Sequence, residues 1–162
     1  MSKQSAGIVM YRYCNNILQV LLVHPGGPFW SKKDAGAWSI PKGELTPNED
    51  PLAAAQREFE EETEFPVTGD FVALTPIKQS GGKIVHAWAV EGDCDISQVR
   101  SNIFQMEWPP HSGKQQEFPE ADRAEWFDLP TARVKILKSQ IDILDELQRL
   151  IYYALIPSIT SK

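Results

Sequence analysis

The stretch PLAAAQREFEEETE, residues 51 to 64, limits most strongly what this chain can fold into. A proline follows Glu49-Asp50, strong helix formers come next, and Pro66 disfavours helical geometry at the residue ahead of it. This predicts a helix over 51–64. At about 100° per residue, Leu52, Ala55, Phe59 and Thr63 share one face, which must be laid on an apolar layer. Within it, REFEEETEF carries five glutamates in nine residues. The wheel groups Glu58, Glu61 and Glu62 on one flank of the apolar stripe and sets Glu60, Glu64 and Arg57 on the other. Like charges at this spacing cost about 0.2–0.5 kcal/mol per pair, a cost that a divalent cation reverses. Mg²⁺ takes carboxylate oxygens jointly with substrate phosphates. The plainer reading of the same residues is a solvated acidic face.

The helix needs a sheet, and the flanking sequence supplies strands. Gly7 to Tyr13 and Ile17 to His24 are apolar runs joined by the turn-prone Cys14-Asn15-Asn16, a hairpin pattern. Residues 25 to 36, PGGPFWSKKDAG, read as a surface loop, and Ala37 to Pro41 as a short strand. Phe71 to Gln79 and Lys83 to Glu91 flank Ser80-Gly81-Gly82 as a second hairpin, and Ile103 to Trp108 is a further strand. Pro109 to Asp122 reads as a long irregular loop, a lid candidate. Glu125 to Leu129 closes the strands, and helical periodicity continues to about residue 156. These elements predict one α/β (α+β) domain over 1–162, with a mixed β-sheet sandwiched between helices.

Several function classes fall away. A net charge of −6 argues against general nucleic-acid binding, although an anionic small substrate remains open if cations intervene. Cys14 and Cys94 have no metal or redox spacing and read as small buried hydrophobes. His24, His86 and His111 form no ligand pattern and read as structural or surface residues. The N-terminus lacks a secretory pattern, and the apolar run ILQVLLV is far shorter than the ~20 residues of a membrane span, so a cytoplasmic protein is expected.

The helix also has a context. Five residues separate Gly43 from Glu49, and after seven more residues comes Arg57-Glu58-Phe59-Glu60-Glu61-Glu62. The segment GELTPNEDPLAAAQREFEEETEF, residues 43 to 65, resembles the signature of the Nudix hydrolase family. It departs at Glu64, where the family has glycine, so Pro66 is expected to enforce the helix stop. AWSIPKGE before the motif and EWFDL after it also resemble family segments.

The resemblance implies a pyrophosphohydrolase dependent on Mg²⁺ (or Mn²⁺). It would cleave a diphosphate linkage in a nucleoside diphosphate derivative, with a dinucleoside polyphosphate as the leading guess from PKGE. Carried onto this chain, Glu58, Glu61, Glu62 and the Gly43 carbonyl would hold metal, while Glu49 and Arg57 would hold loop and helix together. The general base would be a box glutamate or a loop carboxylate, Glu117 ahead of Glu120. Lys42, Lys32 and Lys33 are candidates for substrate phosphates; Trp30, with Phe29, Trp108 and Phe118, is a candidate for base stacking. A homodimer is expected by analogy alone. Against this stand a non-catalytic Nudix-fold nucleotide sensor, an isomerase of the same fold, for which Cys14 and Cys94 lack context, and an unrelated acidic-helix interaction module.

Overall fold

A computed structural model describes residues 3–99 and 101–160. Strand β1 (Gln4–Cys14) turns through Asn15 and Asn16, both at positive φ, into β2 (Ile17–Pro25), with which it pairs antiparallel. The short β3 (Lys42–Glu44) leads to α1 (Pro51–Thr63), then β4 (Val72–Ala73), β5 (Ile77–Lys78), β6 (Ile84–Glu91), β7 (Ile103–Glu107), β8 (Gln115–Pro119) and β9 (Ala121–Asp128). Two helices follow, α2 (Leu129–Lys135) and α3 (Ile141–Thr160). The main sheet runs β4-β6-β1-β2-β9, with β3 also on β1 and β5 on β6; β1 and β6 are parallel and the other pairs antiparallel.

β1 and β2 are buried on both faces, which is why they read as almost continuous apolar runs. Ala6, Ile8, Met10, Leu21 and Val23 pack with Ala54, Ala55 and Phe59 of α1. Val9, Val20, Leu22 and Phe127 pack on the other side with Ala132, Ile143, Leu144 and Leu147 of α2 and α3. The mixed sheet therefore lies between helices, as the strand and helix pattern predicts.

Several boundaries differ. Ala37 to Pro41 is no strand: Trp38 and Ser39 make only isolated bridges, to Ile136 and Val23, and pairing resumes at Lys42–Glu44. Gly7 allows that approach, since a Cβ there would stand 2.6 Å from the Lys42 Cβ. The run 71–79 splits into β4 and β5 around Pro76, which has no N–H to donate. Residues 109–122 are not wholly irregular, because β8 pairs with β7 in a separate two-stranded sheet. Leu129 begins α2 rather than ending a strand, and a 3-10 turn at Lys138–Gln140 interrupts the closing helical stretch. Buried Gln140 in that turn accepts from the Ile40 N–H at 3.1 Å and donates to Ser39 Oγ at 3.0 Å, fixing the segment that leads into β3.

Helix α1 begins on Asp50, whose carboxylate accepts from the Ala53 N–H at 3.0 Å, with Pro51 in the first turn. It ends on Glu64 itself, at φ 62° and ψ 15°, whose N–H donates to the Glu60 carbonyl at 2.7 Å. The stop is thus the left-handed geometry that suits glycine, adopted here by a glutamate, and does not rest on Pro66 alone. A non-glycine residue there carries strain of order 1 kcal/mol. Glu64→Gly is expected to raise unfolding stability by about 1 kcal/mol in urea titration without altering the fold.

Candidate functional site

Arg57 organises the start of the site. Its Nε and one terminal nitrogen donate to the two oxygens of Glu49 at 2.8 and 2.9 Å. The other terminal nitrogen donates to Glu58 Oε1 at 2.9 Å and Glu61 Oε2 at 3.1 Å. Glu49 also accepts from the Thr46 N–H and hydroxyl, at 3.0 and 2.8 Å, so one carboxylate closes the loop between β3 and α1. These bonds, led by Arg57, hold the Glu49 carboxyl down to about 2. The wheel set Arg57 on the flank of Glu60 and Glu64; its long side chain instead reaches to Glu58 and Glu61.

β3 brings backbone against this helix. A Cβ on Gly43 would lie 2.0 Å from the Glu58 carboxyl carbon, so only glycine lets that carboxylate sit against the strand. Burial pushes the Glu58 carboxyl up, opposed by Arg57 and reinforced by Glu61 and Glu120. Glu62 is more extreme: Oε2 is sealed from solvent with no hydrogen-bond partner. Burial first, then the charges of Glu58 and Glu120, pushes its carboxyl up to about 8. Lys42 counters this through its charge and its backbone N–H. The Lys42 ammonium is itself pulled below the ordinary lysine range by burial and by Lys83.

A cavity of about 210 Å³ opens beside these groups. Glu62, Lys42, Glu120 and Trp30 line it together with apolar Val23, Ile40 and Leu137.

The NUDIX domain model matches residues 1–147. The chain belongs to the Nudix hydrolase family. Among solved structures, it resembles a Caenorhabditis elegans Ap4A hydrolase binary complex, with a TM-score of 0.64 at 22% identity over 93% of this chain and 98% of that one. It also resembles the NUDIX domain of Shewanella oneidensis NrtR complexed with ADP ribose, with a TM-score of 0.65 at 14% identity over 93% and 89%. These likenesses concern the fold. No curated protein sequence matches the chain.

The other predicted residues are spread around this Nudix core. Trp30 reaches the cavity, whereas Lys32 and Lys33 are exposed on the loop, Lys33 Nζ lying 5.0 Å from the centre of the Trp30 ring. Glu117 is exposed on β8 and lines a different depression, with Phe118, Ile103 and Asp122. Glu120, the second choice in sequence, sits between β8 and β9 on the cavity of Glu62. Phe29 and Trp108 pack edge to face at 5.4 Å, joining the loop to the end of β7, and Phe118 packs on Phe104. His86 bonds Gln4, and His111 is exposed in the turn between β7 and β8. His24, which the sequence marked only as structural or surface, is wholly buried under the loop.

Among the described residues no three His, Cys, Asp or Glu side chains form a finished ion cage. The donor set nevertheless fits Mg²⁺, which keeps waters and needs only one or two carboxylates alongside phosphate oxygens. Glu62 offers an unpartnered buried oxygen, and Gly43 clears room for the Glu58 carboxylate. Carboxylates whose pKa values are raised by burial, and further by neighbouring carboxylates, gain from a cation.

A folded Glu62 near 8, against about 4.5 in the unfolded chain, means that the folded state binds the extra proton between those values. Stability of the metal-free protein is therefore present in full below about pH 4.5 as far as Glu62 is concerned, and declines as pH rises towards 8. Glu62→Gln is expected to flatten the fall in Tm from pH 5 to 8, measured calorimetrically in chelator.

Proposed function

We propose that the protein is a Mg²⁺- or Mn²⁺-dependent pyrophosphohydrolase that cleaves a diphosphate linkage in a nucleoside diphosphate derivative. A dinucleoside polyphosphate is the leading substrate class. The observation that carries this reading is the sealed, unpartnered Oε2 of Glu62, a residue coupled to Glu58 and lining one cavity with Lys42, Glu120 and Trp30. The PKGE segment and the likeness to an Ap4A hydrolase support the substrate class, and ADP-ribose, held by the NrtR domain, is the next to test.

Glu58, Glu61, Glu62 and the Gly43 carbonyl would hold the ion. When bound, the ion neutralises phosphate oxygens and makes an attacking water more acidic. Lys42 sits on β3 next to Gly43, where its ammonium orients a phosphate group. Glu120 takes the proton from the attacking water; its place on the cavity and its coupling to Glu58 and Glu62 support it over Glu117. Trp30, against Ile40 and Leu137, offers an apolar wall for a nucleobase. Lys32 and Lys33, exposed at the rim, attract the anion at longer range.

The test is a panel of nucleoside diphosphate derivatives with Mg²⁺ or Mn²⁺, products mapped in isotopically labelled water. Turnover is expected only with metal. Glu61→Gln and Glu62→Gln should lower kcat at least ~100-fold, and Glu120→Gln by about 10²–10⁴, with Glu117→Gln much closer to wild type. Turnover that survives both box substitutions overturns the ligand set. Tight binding of one compound without turnover establishes a nucleotide sensor instead.

A further inference from the structure

His24 is wholly buried at the end of β2, where the pairing of β2 with β9 slips between His24 and Pro25. Its Nδ1 lies 2.9 Å from Asp122 Oδ1, and its Nε2 lies 2.6 Å from the Lys33 carbonyl oxygen. Both partners are acceptors. The ring is thus held by two polar contacts between the start of β9 and the loop 26–36.

The other charged groups nearby are already engaged. Arg123 Nε stands 3.5 Å from the same Asp122 oxygen, and its guanidinium lies over Trp38, 5.2 Å from the ring centre. Trp38 packs on the His24 ring at 5.1 Å and donates its indole N–H to Asp34, which pairs with Lys135.

The two arms of the imidazole end on two segments that each carry a residue of the cavity lining, Trp30 and Glu120. Lys33 belongs to the Trp30 turn, its N–H donating to the Trp30 carbonyl at 2.9 Å. Asp122 follows Glu120 by two residues, and the Glu120 carbonyl accepts from the Gly26 N–H at 2.9 Å. Trp30 and Glu120 face the same cavity.

We propose that His24 is a positioning residue that bolts the loop 26–36 to the start of β9 and so sets Trp30 in register with Glu120. The proposal rests on the reading of this cavity as the catalytic site, but its first readouts do not need turnover.

His24→Leu keeps an apolar side chain in the core and cuts both arms. Amide exchange at Gly26 and Lys33 is expected to quicken about tenfold or more, the Trp30 indole resonance to shift, KM to rise and kcat to fall. A folded His24→Leu protein with wild-type exchange, kcat and KM overturns the proposal. Asp122→Ala, which cuts one arm at a more exposed position, decides the matter if His24→Leu does not fold. It should show faster Gly26 exchange with raised KM, and wild-type values of both refute the coupling. If the wild type turns over no substrate, the catalytic reading fails, while the NMR and exchange results still judge the clamp.

Discussion

The architecture of the site depends on the Arg57 guanidinium. Its planar fork grips both oxygens of Glu49, and its remaining donors reach Glu58, Glu61 and, at 3.3 Å, the Glu44 carbonyl. One side chain thus ties the loop after β3, that strand's last carbonyl and two turns of α1 together. Lysine could not replace it, because a point charge has neither the fork nor the reach in two directions. The glutamates of the helix are therefore held close before any cation arrives, and the repulsion among them is partly compensated by a protein group.

Glu62 is left out of that compensation, and its position explains why. It points to the β3 side of the helix, where Lys42 is the nearby cation and is itself weakened by burial and by Lys83. Two carboxylates of one motif are consequently driven in opposite directions, Glu49 to about 2 and Glu62 to about 8. The first is committed to structure throughout the physiological range. The second resists ionisation until a positive charge comes to it, the property that the proposed ligand role requires.

Much of this was legible in the sequence, and the limits have physical causes. Helix α1, the first hairpin and the β5–β6 hairpin follow from periodicity, proline stops and turn residues. Helical geometry groups Glu58, Glu61 and Glu62 on one flank; in the structure Arg57 joins Glu58 to Glu61, while Glu61 lines a depression with Glu60 and Glu64 and Glu62 lines the cavity of Lys42. The wheel missed Arg57's allegiance because it reports the direction of Cβ, not the reach of a long flexible side chain. β8 was hidden because QQEFP forms an arm exposed on most of its length, so it carries no apolar alternation. Sequence ranked Glu120 behind Glu117 and gave no sign of the contacts of His24: one is placed by its position between β8 and β9, the other by a loop nine residues later and a strand ninety-eight residues later.

The same crowding that suits a cation is a standing cost to the folded chain. Raised carboxyl pKa values at Glu58 and Glu62 mean that folding works against their ionisation, and Glu64 adds backbone strain at the end of the same helix. The chain tolerates this because α1 is anchored elsewhere: Ala54, Ala55 and Phe59 are completely buried against the sheet, and Thr63 donates to the Phe59 carbonyl at 2.7 Å while accepting from the Phe65 N–H at 3.1 Å. Apolar burial at about 25 cal/mol per Å² is insensitive to pH and metal, so it can carry the helix through states in which its acidic face is unfavourable. The apolar stripe and the acidic flank thus divide the work along one helix, the first holding the fold while the second carries the proposed cation site.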